Sequence, residues 1–332
     1  MSRPPKVRNY YSEYHGHLVP DLSLVYQTLR SPPSPSSSSS SDQPLIWLAG
    51  DSSLDNKYWL REKAEAVGGY ERVLEPSVML KDVCYHLTKL SLTNPNLPIT
   101  INTSVEATTL QQRNLGLLDQ DKFIRDNLQP QDTLIISIGG NDIALSPSPC
   151  TIFNMLCLTW FTPQVCIENG FGTALPFDDF SCGCTTGILS NLLSFPFGLG
   201  YFIHLFKVRI TAYINKLLNK TKPQKIVVCM IYYLDEKEGG SWADATLSTL
   251  GYNSNPGKLQ SMIKKIYEQA ISKIKIPGVE VVGCPLFEVL DGKDTRDYVA
   301  RVEPSERGGE KMARLLSLCV TGDIGGGGVD RN

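Results

Sequence analysis

The sequence predicts an α/β fold in which helices cover both faces of a parallel sheet. Five short apolar runs recur along the chain, and segments with helical periodicity separate them. The runs are continuously apolar instead of alternating, as strands buried on both faces must be. The first, over 45–49 (LIWLA), ends in a turn at Gly50. The others cover 99–102, 133–138, 225–232 and 279–282, and the third of the five runs into Gly139 and Gly140. Helices are expected over 55–67, 77–92, 119–127, 208–218, 256–274 and 305–319. In such sheets ligands bind outside the carboxyl ends of the strands. The residues just after each run are therefore the first candidates for function.

At 332 residues, 42% hydrophobic and 20% charged, the chain can bury a full core without covalent staples. Its 32 Lys and Arg nearly balance 34 Asp and Glu, which argues against a nucleic-acid or anionic-membrane protein working through bulk charge. The opening residues, MSRPPKVRNYYSEYHGHLVPD, hold no apolar stretch of the kind a secretory signal needs. Nine cysteines in such a chain are expected to be mostly reduced thiols, and the expected location is cytoplasmic. Residues 1–30 form an N-terminal arm whose Tyr10, Tyr11 and Tyr14 suit docking on the body. A Ser/Pro-rich linker over 31–42 follows, then the α/β body over 43–320 and a glycine-rich tail over 321–332.

Residues 143–206 stand apart. This tract of 64 residues carries three charges, Glu168, Asp178 and Asp179. Its most apolar part, 185–206, has the length of about 20 residues that a membrane span needs. Pro196, Gly198 and Gly200 interrupt it, and no basic cluster precedes it. A buried or pocket-lining insertion is the expectation, with shallow membrane or lipid contact as the alternative. Cys182 and Cys184 stand too close for a metal knuckle. With Cys150, Cys157 and Cys166 they read as buried thiols, and no metal or cofactor is expected.

After the first strand comes Gly50-Asp51-Ser52-Ser53-Leu54-Asp55-Asn56. A serine on a sharp strand-to-helix turn exposes its Oγ among backbone N–H groups, which suits a nucleophile whose intermediate carries an oxyanion. An ordinary helix cap has the same composition. After the third strand comes Gly139-Gly140-Asn141-Asp142, where glycines let the backbone approach a ligand and an amide can donate to developing charge. Together the two segments resemble the first and third conserved blocks of the SGNH (GDSL-type) hydrolase superfamily. Strand order and spacing extend the resemblance over 43–320, with 143–206 as an apolar insertion after the third strand. The resemblance implies a flavodoxin-like three-layer α/β/α sandwich and metal-free ester hydrolysis or acyl transfer. It implies Ser52 as nucleophile and N–H donor and Asn141 as side-chain oxyanion donor, supported by Gly140 and by Asp51 as a brace of the turn.

Two positions depart from that family. Where it carries a glycine whose N–H completes the oxyanion hole, this chain has Glu106. The N–H remains, but the carboxylate would repel an oxyanion unless it turned away or met a cation such as Arg113. Where the family ends in Asp-x-x-His-Pro, this chain reads Ala300-Arg301-Val302-Glu303-Pro304, so Glu303 stands at the histidine position. The four histidines, His15, His17, His86 and His204, lie far upstream.

Three arrangements stay open. Glu303 could serve as general base for Ser52, its pKa raised by burial but lowered if Arg301 paired with it. A histidine, His15, His17 or His204, could reach across from the arm or the insertion. Or hydrolysis is lost. Asp297 could orient a partner group. The expected function is an esterase or acyl transferase acting on a hydrophobic small molecule. A cyclase or dehydratase using Glu303 alone, or a binding protein, is the alternative.

Overall fold

The computed structural model describes residues 6–31, 43–179, 181 and 183–323. The expected linker apart from Ser31, the tail beyond Asp323 and Cys182 lie outside the described residues. All five expected strands form: β1 (Leu45–Gly50), β2 (Ile99–Asn102), β3 (Thr133–Ser137), β4 (Lys225–Met230) and β5 (Glu280–Pro285). They make one parallel sheet in the order β2-β1-β3-β4-β5. Every residue of β1, β3 and β4 is buried, which is why their sequences are apolar without alternation. This is the flavodoxin-like order, whose reversal point lies between β1 and β3.

Seven helices matter to the argument: α1 (Val19–Arg30), α2 (Val83–Ser91), α3 (Asp119–Asn127), α4 (Pro149–Leu156), α5 (Ile210–Leu217), α6 (Pro256–Gln269) and α7 (Glu306–Thr321). Right-handed crossovers place α2 and α7 on one face of the sheet, packed on each other, and α3, α5 and α6 on the other. The result is the three-layer α/β/α sandwich that the sequence predicts.

The arm packs onto the body. Leu22, Val25 and Leu29 of α1 are buried, and Arg30 grips Asp132 at 2.8 and 2.5 Å. The same carboxylate accepts from Trp47 Nε1 at 2.8 Å and from the Leu45 N–H at 3.0 Å, so arm, β1 and the start of β3 share one anchor.

The expected helix over 55–67 does not form. Asn56 donates to the Pro304 carbonyl, Lys63–Glu65 pairs antiparallel with Val78–Leu80, and the Arg61 and Glu62 N–H groups donate to Glu306. Tertiary partners claim this backbone before a helix can. For the same reason the helix expected from 77 begins only at Val83, capped by Asp82.

The insertion folds as a cap of short helices and one two-stranded ladder, Phe171–Gly172 against Ser194–Phe195. Its segment Leu199–Ile203 is wholly buried. Gly200 permits that: a Cβ there would lie 2.3 Å from the Ser190 carbonyl oxygen. The cysteine expectation needs correction here. Cys150, on α4, and Cys184 form a disulfide, because the cap folds back until their Cα atoms are 5.5 Å apart. Cys157 and Cys166 are free and only partly buried. Among the described residues no helix is long and apolar enough to cross a membrane.

Candidate active site

The site begins where β1 and β3 end side by side. Gly50 lets them close up: a Cβ there would lie 1.8 Å from the Ser137 carbonyl oxygen. The turn that follows is fixed from within. Asp51 accepts from the Ser53 N–H at 3.1 Å and its Oγ at 2.8 Å, and Ser53 also bonds Ser137 Oγ at 2.6 Å. Asp51 is therefore a brace, buried and pushed up to about 6 by desolvation. Ser52, between these tethered residues, is left with its hydroxyl facing a cavity. Asn141 opens the short helix Asn141–Ala144 and, with Gly140, lines the same cavity. Its amide donates one hydrogen to the Thr108 carbonyl at 3.0 Å and keeps a second.

Glu303 reaches the same cavity from a separate hairpin. Strands β6 (Tyr298–Val299) and β7 (Glu303–Pro304) pair antiparallel, with Val299 opposite Glu303. The connection puts Ala300 at φ 50° and Arg301 at φ 67°, left-handed backbone that glycine would normally occupy. Four hydrogen bonds hold this awkward turn: Ser241 Oγ on the Ala300 carbonyl, the Asp235 N–H on the Arg301 carbonyl at 3.0 Å, Tyr232 OH on the Val302 carbonyl at 2.7 Å, and Asn56 on the Pro304 carbonyl. Arg301 turns away to Asp244 at 2.7 Å and Asn253 at 3.0 Å, so it does not neutralise Glu303. Glu303 is 6% exposed, and its Oε2 has no hydrogen-bond partner. Burial pushes its carboxyl well above the usual range, the charges of Glu106 and Asp51 push it further, and the nearby Ser52 hydroxyl pulls the other way.

Ser52, Asn141 and Glu303 thus line one cavity of about 110 Å³, and its other walls are mostly apolar. The insertion supplies Met155, Phe202 and Phe206; the segment after β4 supplies Trp242, Leu247 and Leu250; α6 supplies Leu259, Met262 and Ile263. The last two groups escape a sequence reading. An apolar stripe on a helix is indistinguishable from core packing until the fold shows an empty space beside it. Tyr232 was within reach, since it closely follows β4 where such sheets bind ligands.

Two expected site residues do not serve as predicted. The Glu106 N–H donates to Asp55 Oδ2 at 3.1 Å, so it is not free to hold an oxyanion. Its carboxyl does not meet Arg113, which is spent on Asp121, Thr108 and the Gly50 carbonyl. Instead it accepts from Trp59 Nε1 at 2.9 Å, and burial beside Asp55 lifts it to about 7. Asp297 is paired with Lys311 at 2.6 Å and Arg307 at 3.3 Å and lies outside the cavity lining, so it orients nothing there.

No histidine is among the residues that line the cavity. His17 is buried against Tyr10, stacked at 3.8 Å, and pushed down to about 3 by desolvation. His204 bonds Thr186 and the Phe177 carbonyl, both at 3.1 Å. His86 lines a separate cleft beside α7, and His15 lies against the Glu106 carbonyl at 3.4 Å. Among the described residues no cluster of His, Cys, Asp or Glu is arranged to hold a metal ion.

No protein-family model matches this chain, and no curated protein matches it. Solved structures do. A carbohydrate esterase family 3 protein from Talaromyces cellulolyticus is 9% identical, with 85% of this chain and 99% of that chain covered at a TM-score of 0.37. A GDSL-like lipase from Bacteroides thetaiotaomicron is 12% identical over 84% of this chain and 89% of that one, TM-score 0.36. An acetylxylan esterase from Geobacillus stearothermophilus is 13% identical over 84% and 94%, TM-score 0.39. At these identities and scores the likenesses decide nothing about activity, and the chemistry rests on the geometry above.

Proposed function

We propose that this protein is a divergent SGNH-type serine hydrolase that cleaves an ester or thioester of a hydrophobic small molecule. The observation that carries the reading is the meeting of Ser52 and Glu303, from distant parts of the chain, in the lining of one largely apolar cavity. Ser52 Oγ attacks the carbonyl carbon and gives its proton to the Glu303 carboxylate. The Ser52 N–H and the second amide hydrogen of Asn141 hold the oxyanion. Collapse expels the leaving group, which takes the proton back from Glu303. Water then attacks the acyl-enzyme, losing its proton to the same carboxylate, and the second collapse breaks the Ser52 ester, with Ser52 Oγ taking that proton back as the acid leaves. A carboxylate of ordinary pKa is a poor base near neutrality, and the raised Glu303 is a better one.

A serine-reactive fluorophosphonate probe tests this, applied to the wild type, Ser52→Ala and Glu303→Gln. Labelling of the wild type that both substitutions abolish is the expected result. An unlabelled wild type would overturn the reading. The raised carboxyl also suits a general acid, which favours one other reading: a cyclase or dehydratase that needs Glu303 and tolerates Ser52→Ala. Loss of turnover only on Glu303→Gln would select it.

A further inference from the structure

Of the 19 large apolar side chains exposed among the described residues, 13 lie in the cap over 143–206. They are connected. Phe171 packs on Phe195 across the small ladder at 6.3 Å, and Phe197 meets Phe153 of α4 edge-on at 6.1 Å. Leu192, 79% exposed, stands just before that ladder's second strand, and Phe161, equally exposed, follows Trp160. Trp160 donates its Nε1 to the Thr249 carbonyl at 3.0 Å, against the segment whose Leu247 and Leu250 wall the cavity. The patch therefore runs up to the cavity on two sides, because α4 also sends Met155 inward while Phe153 faces out.

Thirteen exposed apolar side chains concentrated in one segment of 64 residues mark a contact surface. Its chemistry selects the partner. The tract holds three acidic residues and not one Lys or Arg, so an anionic surface would be repelled. Exposed Phe and Leu beside a half-wet Trp are the composition that sits in the boundary between lipid headgroups and acyl chains. We propose that the cap docks this protein on a neutral or zwitterionic lipid surface, in-plane, with the apolar cavity adjoining the contact. An acyl chain could then pass from lipid to Ser52 along apolar walls. That last step rests on the esterase reading, whereas the docking does not.

The test is co-sedimentation with phosphatidylcholine vesicles, read beside tryptophan emission and sedimentation velocity without lipid. The expected result is binding of the wild type with a blue shift, no tighter on phosphatidylserine vesicles and insensitive to salt. Phe161→Asp with Leu192→Asp should weaken it by about tenfold or more. The same variant should turn over a short-chain soluble ester at the wild-type rate, since neither residue lines the cavity. That control separates failure of docking from failure of the catalytic reading. Absence of wild-type binding to phosphatidylcholine, binding indifferent to the double substitution, or binding only to anionic vesicles would overturn the proposal. So would a lipid-free dimer that the substitutions dissociate, which would make the patch an interface between copies.

Discussion

Burial and two neighbouring acids raise the Glu303 carboxyl far above the ordinary carboxylate range. A general base must be ionised to act, so kcat/KM should climb with pH through the Glu303 value and stay low on the acid side. Glu106→Gln removes a charge that opposes this ionisation, and the acid limb of the profile should move to lower pH. The same shift affects stability with the opposite sign. Unfolded Glu ionises near pH 4.3, about where the folded carboxyl is still protonated. The unfolded state is therefore favoured progressively as pH rises from there through the folded value, and nothing is lost below it. Glu303→Gln should abolish about 10²-fold or more of turnover and raise the melting temperature relative to wild type at pH 8, with the gain shrinking towards pH 4. Thermal melts of both proteins across that range check it, and a gain independent of pH would refute the ionisation account.

The hairpin and the walls of the cavity act as elements. The non-glycine residues with positive φ among those described are Ala107, Ala300 and Arg301. They flank the two acidic departures, Glu106 and Glu303, where strain stored in the backbone serves to aim a side chain. Ala300 sits at φ 50° and its carbonyl accepts from Ser241, a bond that glycine would keep, so Ala300→Gly should stabilise the fold by roughly 0.5–1 kcal/mol in urea melts. A loss would mean the left-handed turn costs nothing here. On α6, Ile263 faces the cavity, so Ile263→Trp should shift preference towards shorter acyl groups, measured as kcat/KM over an ester length series. Of these elements the sequence makes α6 legible as a helix but not as a wall. The hairpin is illegible, because two-residue strands joined by Ala300-Arg301-Val302 carry none of the Gly or Asn that announces such a turn.

For the molecule as a whole, what was legible follows from burial. Strands β1, β3 and β4 are enclosed on both faces and had to be written in apolar residues, and the reversal of strand order then placed Ser52 and Asn141 together. Glu303 was legible only through Pro304 and the helix after it. The pairing of Cys150 with Cys184 was not, since the cap that joins them has no periodic pattern from which to read a distance. That bond persists where the surroundings are oxidising, and it ties α4, which carries Met155 of the cavity, to the segment before Thr186–Leu189. The sheet has no part in it. Reduction, or Cys150→Ser with Cys184→Ser, should therefore loosen the cap and leave the sheet intact. Amide exchange should accelerate over 149–156 and 186–203 while β1, β3 and β4 stay protected. Turnover of long-chain esters should fall several-fold more than that of short ones, because a longer chain covers more of the wall that Met155 and Phe202 supply. Equal losses for both, or a single cooperative melt of cap and sheet, would show that the cap is part of the main core and not a separately closed cover.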